Sequence, residues 1–72
     1  MGFGKNVREQ RRAMGMTQEQ LSERTGVSQG SISTIERDER VPKLPTAVAL
    51  ARGLETTVEE LLGEDVEEEQ AA

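Results

Sequence analysis

Within SQGSISTIER, Ser28 to Arg37, the hydrogen-bonding residues Gln29, Ser31, Ser33, Thr34 and Arg37 alternate with two isoleucines, Ile32 and Ile35, three apart. Carboxamide, hydroxyl and guanidinium groups donate and accept hydrogen bonds but are poor proton shuttles, so this set suits recognition of a polar surface rather than catalysis. The rest of the chain points the same way. It has no His, Cys, Trp or Tyr, and Phe3 is its only aromatic residue. An imidazole base, an activated thiol and a phenol are therefore absent, as are disulfides and thiolate zinc sites. An enzyme built from these residues needs paired carboxylates in a pocket, which short helices in a small chain are poorly placed to form. We therefore expect no catalytic residue, no metal and no cofactor.

The spacing predicts a helix from Ser28 to about Arg37, with Ser28 as its N-cap. Stepping about 100° per residue around it puts Ile32 and Ile35 on one face and Gly30, Thr34 and Arg37 opposite them. Ser33 lies to the side, and Gln29 stands in the first turn, where a long side chain reaches forward. Glu36 turns toward the interior. The helix thus buries two aliphatic residues and offers solvent a low polar surface with only two long side chains.

Four other helices must hold that surface in place. The first spans about Phe3 to Met14, with Phe3, Val7, Arg11 and Met14 along one face. Gly15-Met16 interrupts it. Thr17, with Gln20 three residues on, forms a capping-box pattern for a second helix that buries Leu21 and stops at Gly26. Asp38 to Pro42 is a polar loop. Pro45 fits the first turn of a fourth helix, Leu44 to about Leu54, expected to bury Leu44, Val48, Leu50, Ala51 and Leu54. Thr57 with Glu60 opens a short fifth helix ending near Gly63, with Val58, Leu61 and Leu62 inward. The fold class is all-α: a five-helix unit over residues 1–63, followed at 64–72 by an acidic tail expected to be disordered.

The formal net charge of −5 conceals a division. Residues 1–54 carry all nine Lys and Arg against six acids, a balance of +3, whereas residues 55–72 carry eight acids and no base, a balance of −8. Screening separates such fields beyond roughly 8–10 Å, so a basic surface for an anionic partner coexists with an acidic end. The longest apolar run, Ala47 to Ala51, is too short to span a bilayer, and no signal-peptide pattern opens the chain. We expect a cytoplasmic protein with no membrane partner.

Between Gln18 and Arg37 the order is Leu21, small Ser22, Gly26, Val27, Ile32 and Ile35. Two helices joined by so short a turn cross steeply, which calls for a small residue at the approach, a glycine at the corner and apolar residues where the second helix lies on the first. TQEQLSERTGVSQGSISTIER resembles the helix-turn-helix of the lambda-repressor-like family, the phage repressor, Cro and Xre-type regulators. The likeness extends from about Phe3 to Gly63, taking in FGKNVREQRRAMGMTQEQLSERTGVS and IERDERVPKLPTAVALARGLETTVEELLG.

The resemblance implies that the helix from Ser28 enters the major groove of double-stranded DNA, with Gln29, Gly30, Ser33, Thr34 and Arg37 toward the bases. Gln29 suits N6 and N7 of adenine, Ser33 and Thr34 suit base edges or the thymine methyl, and Arg37 suits guanine or a phosphate. Gly30 departs from the family, which often carries a base-reading side chain there; it marks either a close backbone approach or a missing contact. Gln18, Ser28, Arg40 and Lys43 are the expected phosphate contacts, with Lys5, Asn6 and Arg12 as weaker ones. Arg11 and Glu36 match an internal ion pair of the family.

The function this implies is a sequence-specific transcriptional regulator, a repressor binding a two-fold symmetric operator as a homodimer, with Leu62 and Val66 as candidate dimer residues. A restriction-modification controller or an antitoxin of the same fold fits the same residues. A module binding a protein partner through the acidic C-terminus is the alternative from another class.

Overall fold

The computed structural model describes residues 2–63, which form α1 (Phe3–Ala13), α2 (Gln18–Thr25), α3 (Gln29–Glu36), α4 (Leu44–Gly53) and α5 (Val58–Leu62). No strand occurs among these residues. The acidic tail at 64–72 and Val66 lie outside them.

Local chemistry sets the helix starts. Thr17 and Gln20 form a reciprocal capping box, the Gln20 amide donating to Thr17 Oγ1 at 3.0 Å and the Thr17 amide to Gln20 Oε1 at 2.8 Å. Ser28 Oγ accepts from the Ser31 amide at 3.2 Å, and Thr57 Oγ1 accepts from the Glu60 amide at 3.0 Å. Pro45 stands in the first turn of α4, where its missing N–H leaves no helical bond unmade. The corner between α2 and α3 falls at Gly26, with φ 80°, a left-handed conformation that suits glycine.

The helices close a ring of neighbours: α3 packs on α1 and α2, α4 on α2 and α5, and α5 on α1. Val7, Leu21, Ile32, Ile35, Leu50, Ala51, Leu54 and Leu61 form the buried core, with Phe3, Met14, Met16, Val27 and Val58 packed against it. Two seams are unusually close. A methyl group at Gly4 would overlap the carbonyl of Ile35, and one at Gly53 would overlap the Thr25 methyl. Polar side chains of α1 tie the far side: Asn6 Nδ2 donates to the Leu61 carbonyl at 2.6 Å, and Gln10 Nε2 to that of Leu54 at 3.1 Å.

The fourth helix differs from its sequence expectation. Leu44 is 68% exposed rather than buried, and Val48 is only half-buried, while Ala47 joins Leu50, Ala51 and Leu54 on the inner stripe. In α5, Leu61 is buried but Val58 and Leu62 are half-buried, as a single exposed turn allows.

Candidate nucleic-acid interface

Ile32 and Ile35 are 0% and 2% exposed, so α3 is fixed from beneath by side chains that cannot move outward without opening the core. Its other face is open. Gln29 and Gly30 are exposed and Ser33 and Thr34 half-buried, while Arg37, the C-cap of α3, is exposed. By helical phase Gly30, Thr34 and Arg37 lie opposite the isoleucines with Ser33 to the side, and Gln29 stands in the first turn beside them.

Each has a distinct hydrogen-bonding state. The Gln29 carboxamide bonds to no other described residue, leaving its donors and its acceptor available. Thr34 Oγ1 donates back to its own helix, 3.0 Å from the Ser31 carbonyl and 3.2 Å from that of Gly30. Its proton is thereby engaged, so Thr34 meets a partner as an acceptor or through its methyl group. Ser33 Oγ accepts from Arg37 Nη1 at 2.6 Å and keeps its own proton to donate. Nothing lies within 4 Å of where a side chain at Gly30 would begin. No packing among the described residues therefore requires glycine there.

The expected phosphate contacts divide into two groups. Ser28, Arg40 and Lys43 come together around a depression between the start of α3 and the loop leading to α4, which Ser31, Pro42 and Thr46 also line. Ser28 Oγ is engaged as the α3 cap and donates to Ser31 Oγ at 2.9 Å, whereas Arg40 and Lys43 extend into solvent. Gln18 stands apart from this group. Its Nε2 donates to Glu36 Oε1 at 3.0 Å, so one N–H of that group and the α2 N-terminal amides are what it can offer a phosphate. Of the weaker candidates, Lys5 and Arg12 are exposed, while Asn6 is engaged with Leu61.

Beneath the surface, Arg11 meets Glu36 in a bidentate pair, Nε to Oε2 at 2.7 Å and Nη2 to Oε1 at 3.0 Å, and Arg11 Nη1 reaches the Met16 carbonyl at 2.8 Å. With Gln18, this network joins α1, α2 and α3 at one carboxylate. Burial alone pushes the Glu36 carboxyl up. Hydrogen bonds from Arg11 and Gln18, with the attraction of Arg11 and Arg8, outweigh that and hold it below the ordinary glutamate value.

A second pair lies on the surface. Arg37 Nε and Nη2 donate to Glu39 Oε2 and Oε1, each at 3.2 Å. These bonds, with the charge attraction behind them, raise the Arg37 guanidinium and lower the Glu39 carboxyl from their ordinary values. Sequence inspection does not reveal Glu39. It depends on Asp38, a non-glycine residue at φ 60°, which folds the chain back so that the Glu39 amide donates to the Thr34 carbonyl at 3.0 Å.

A buried two-isoleucine floor, a steep Gly26 corner and a low polar outer face are the parts of a helix-turn-helix. The family model described as Helix-turn-helix matches residues 7–61, and the chain belongs to that family. It is 41% identical over 60 residues to the control protein C.SmaI of Serratia marcescens, covering 83% of this chain and 71% of that one. It is 36% identical over 73 residues to the immunity repressor protein of Bacillus phage phi105, covering 99% of this chain and 51%, about half, of that repressor. The fold matches the P22 c2 repressor solved in complex with a synthetic operator, with TM-score 0.82 and 30% identity over 88% of this chain and 96% of that one. These relatives are regulators and repressors. Among the described residues no helix is long and apolar enough to cross a membrane.

Proposed function

We propose that this chain is a sequence-specific DNA-binding transcriptional regulator, a repressor acting by occupancy of a two-fold symmetric operator. The observation that carries this is the outer face of α3, raised on the fully buried Ile32 and Ile35. A major groove about 12 Å wide admits a helix whose outward residues are mostly small. Gln29 reads adenine N6 and N7, Ser33 donates to a base edge, Thr34 offers its acceptor or its methyl to thymine, and Arg37 reads guanine. Gly30 lets the backbone approach the bases. Gln18, Ser28, Arg40 and Lys43 hold the phosphates on either side, and Arg11 with Glu36 keeps α1, α2 and α3 in register. Residues 1–63 act as the binding unit in the cytoplasm.

A module of this size offers few contacts, so a homodimer on half-sites about 34 Å apart supplies the rest. Selection of bound duplexes from a random pool, with affinity followed against salt, tests the proposal. The expected product is a palindromic consensus. Equal affinity for all duplexes overturns it.

The 41% identity to C.SmaI favours a second reading, control of a restriction-modification locus. Both readings use the same surface and differ in the promoter regulated. Locating the selected consensus among promoters separates them: a site upstream of restriction or modification genes supports the second reading, and a site only elsewhere supports the first.

A further inference from the structure

We infer that Glu39 is a positioning residue for base readout, holding the Arg37 guanidinium in a fixed orientation over the outer face of α3. This rests on the DNA-binding proposal above and adds a determinant of its specificity.

An unrestrained arginine at the end of a helix samples many rotamers and meets the nearest phosphate as readily as a base. Arg37 is restrained at three of its five N–H groups. Glu39 takes Nε–H and one N–H of Nη2, each at 3.2 Å, and Ser33 Oγ takes one N–H of Nη1 at 2.6 Å. Two donors remain, one on each terminal nitrogen, and guanine presents two acceptors, O6 and N7, to such a pair. The restraint is itself anchored. The Glu39 amide is bonded to the Thr34 carbonyl, and the intervening Asp38 takes the left-handed conformation that brings the carboxylate round. Ser33 and Thr34 are both outer-face residues, so Arg37 is oriented with respect to the surface that meets the bases. The Glu39 carboxylate also repels phosphate oxygens, which disfavours the unspecific contact that Arg37 alone would make.

Three variants test this by selection from the random duplex pool: Arg37→Ala, Glu39→Gln and Glu39→Asp. Arg37→Ala is expected to remove the preference for guanine at one base pair of each half-site. Glu39→Gln is expected to lower that same preference about 5- to 10-fold while raising affinity for unselected duplex at low salt. Glu39→Asp keeps the charge but shortens the reach, and is expected to lower the preference as Glu39→Gln does. Thermal midpoints confirm that all three remain folded. The inference is overturned if both Glu39 variants keep the wild-type preference, or if Glu39→Asp keeps it while Glu39→Gln loses it, because charge alone then suffices. It is also overturned if Arg37→Ala weakens all sequences equally. A wild-type protein that selects no consensus sinks the DNA-binding proposal itself, a separate outcome from any of these.

Discussion

Two arginine–glutamate pairs meet at consecutive positions of the chain, one at the last residue of α3 and one at its C-cap. The side chains of Arg11 and Glu36 are 10% and 2% exposed, and those of Arg37 and Glu39 are 55% and 58% exposed. Both pairs are bidentate. The inner one gains further bonds from Gln18 and the Met16 carbonyl, and removing either partner strands a charge away from water. The outer one is exposed, so it adds little to stability, yet it orients Arg37 while two guanidinium donors stay open to an incoming ligand. The same chemistry therefore acts as scaffold on one side of α3 and as a guide for an incoming ligand on the other, and burial decides which.

The largest expected effect tests the inner half. Glu36→Ala leaves the Arg11 guanidinium buried without its carboxylate and should reduce unfolding free energy by about 3–5 kcal/mol in urea titration. A reduction as small as that of an exposed pair, below about 1 kcal/mol, would erase the contrast. Acid provides a second route to the same pair. The folded Glu36 value lies below the unfolded one, so its contribution is complete above about pH 4.3, the ordinary glutamate value, and is lost as pH falls through the depressed folded value. Glu36→Gln should therefore flatten the acid limb of the stability profile.

On the outer face the effects move from folding to binding. Gln29→Ala should cost about 1–3 kcal/mol at a single base pair with little change in stability, measured by competition between duplexes differing at that pair. A uniform loss across sequences would make Gln29 a backbone contact. Gly30→Ala should raise stability by about 0.5–1 kcal/mol, since a methyl group there meets nothing within 4 Å. Should the same variant bind its operator more weakly, the glycine is needed for approach to DNA. At the small end, Glu39→Gln should leave the urea midpoint where it was, because its pair is exposed.

The parts of the fold legible in the sequence are those settled within one turn of chain. The capping box of Thr17 and Gln20, the N-caps Ser28 and Thr57 and the corner at Gly26 each involve residues a few positions apart. The facing of Arg11 and Glu36 is legible at one remove, because Glu36 falls on the isoleucine side of α3 and Arg11 on the inner face of α1. The exposure of Leu44 is not legible in the sequence, because its helical phase agrees with that of the buried Ala47 and Ala51. The anchoring of Gln18 by Glu36 joins two helices through side chains whose types are common on any surface. The Arg37–Glu39 contact was hidden for another reason: Asp38 adopts a conformation that its identity does not announce, and i, i+2 side chains do not face one another on a helix.

Because the main helix–helix packings close into a loop, each helix is held by at least two others. Fusing or exchanging pieces at the seams would disturb two contacts at once, while substitutions at Gln29, Gly30 and Ser33 disturb none of them. Rewriting which site the molecule chooses is then a surface operation, and a panel of variants altered only at those positions can share one scaffold, with melting points that differ only as local helix propensity does.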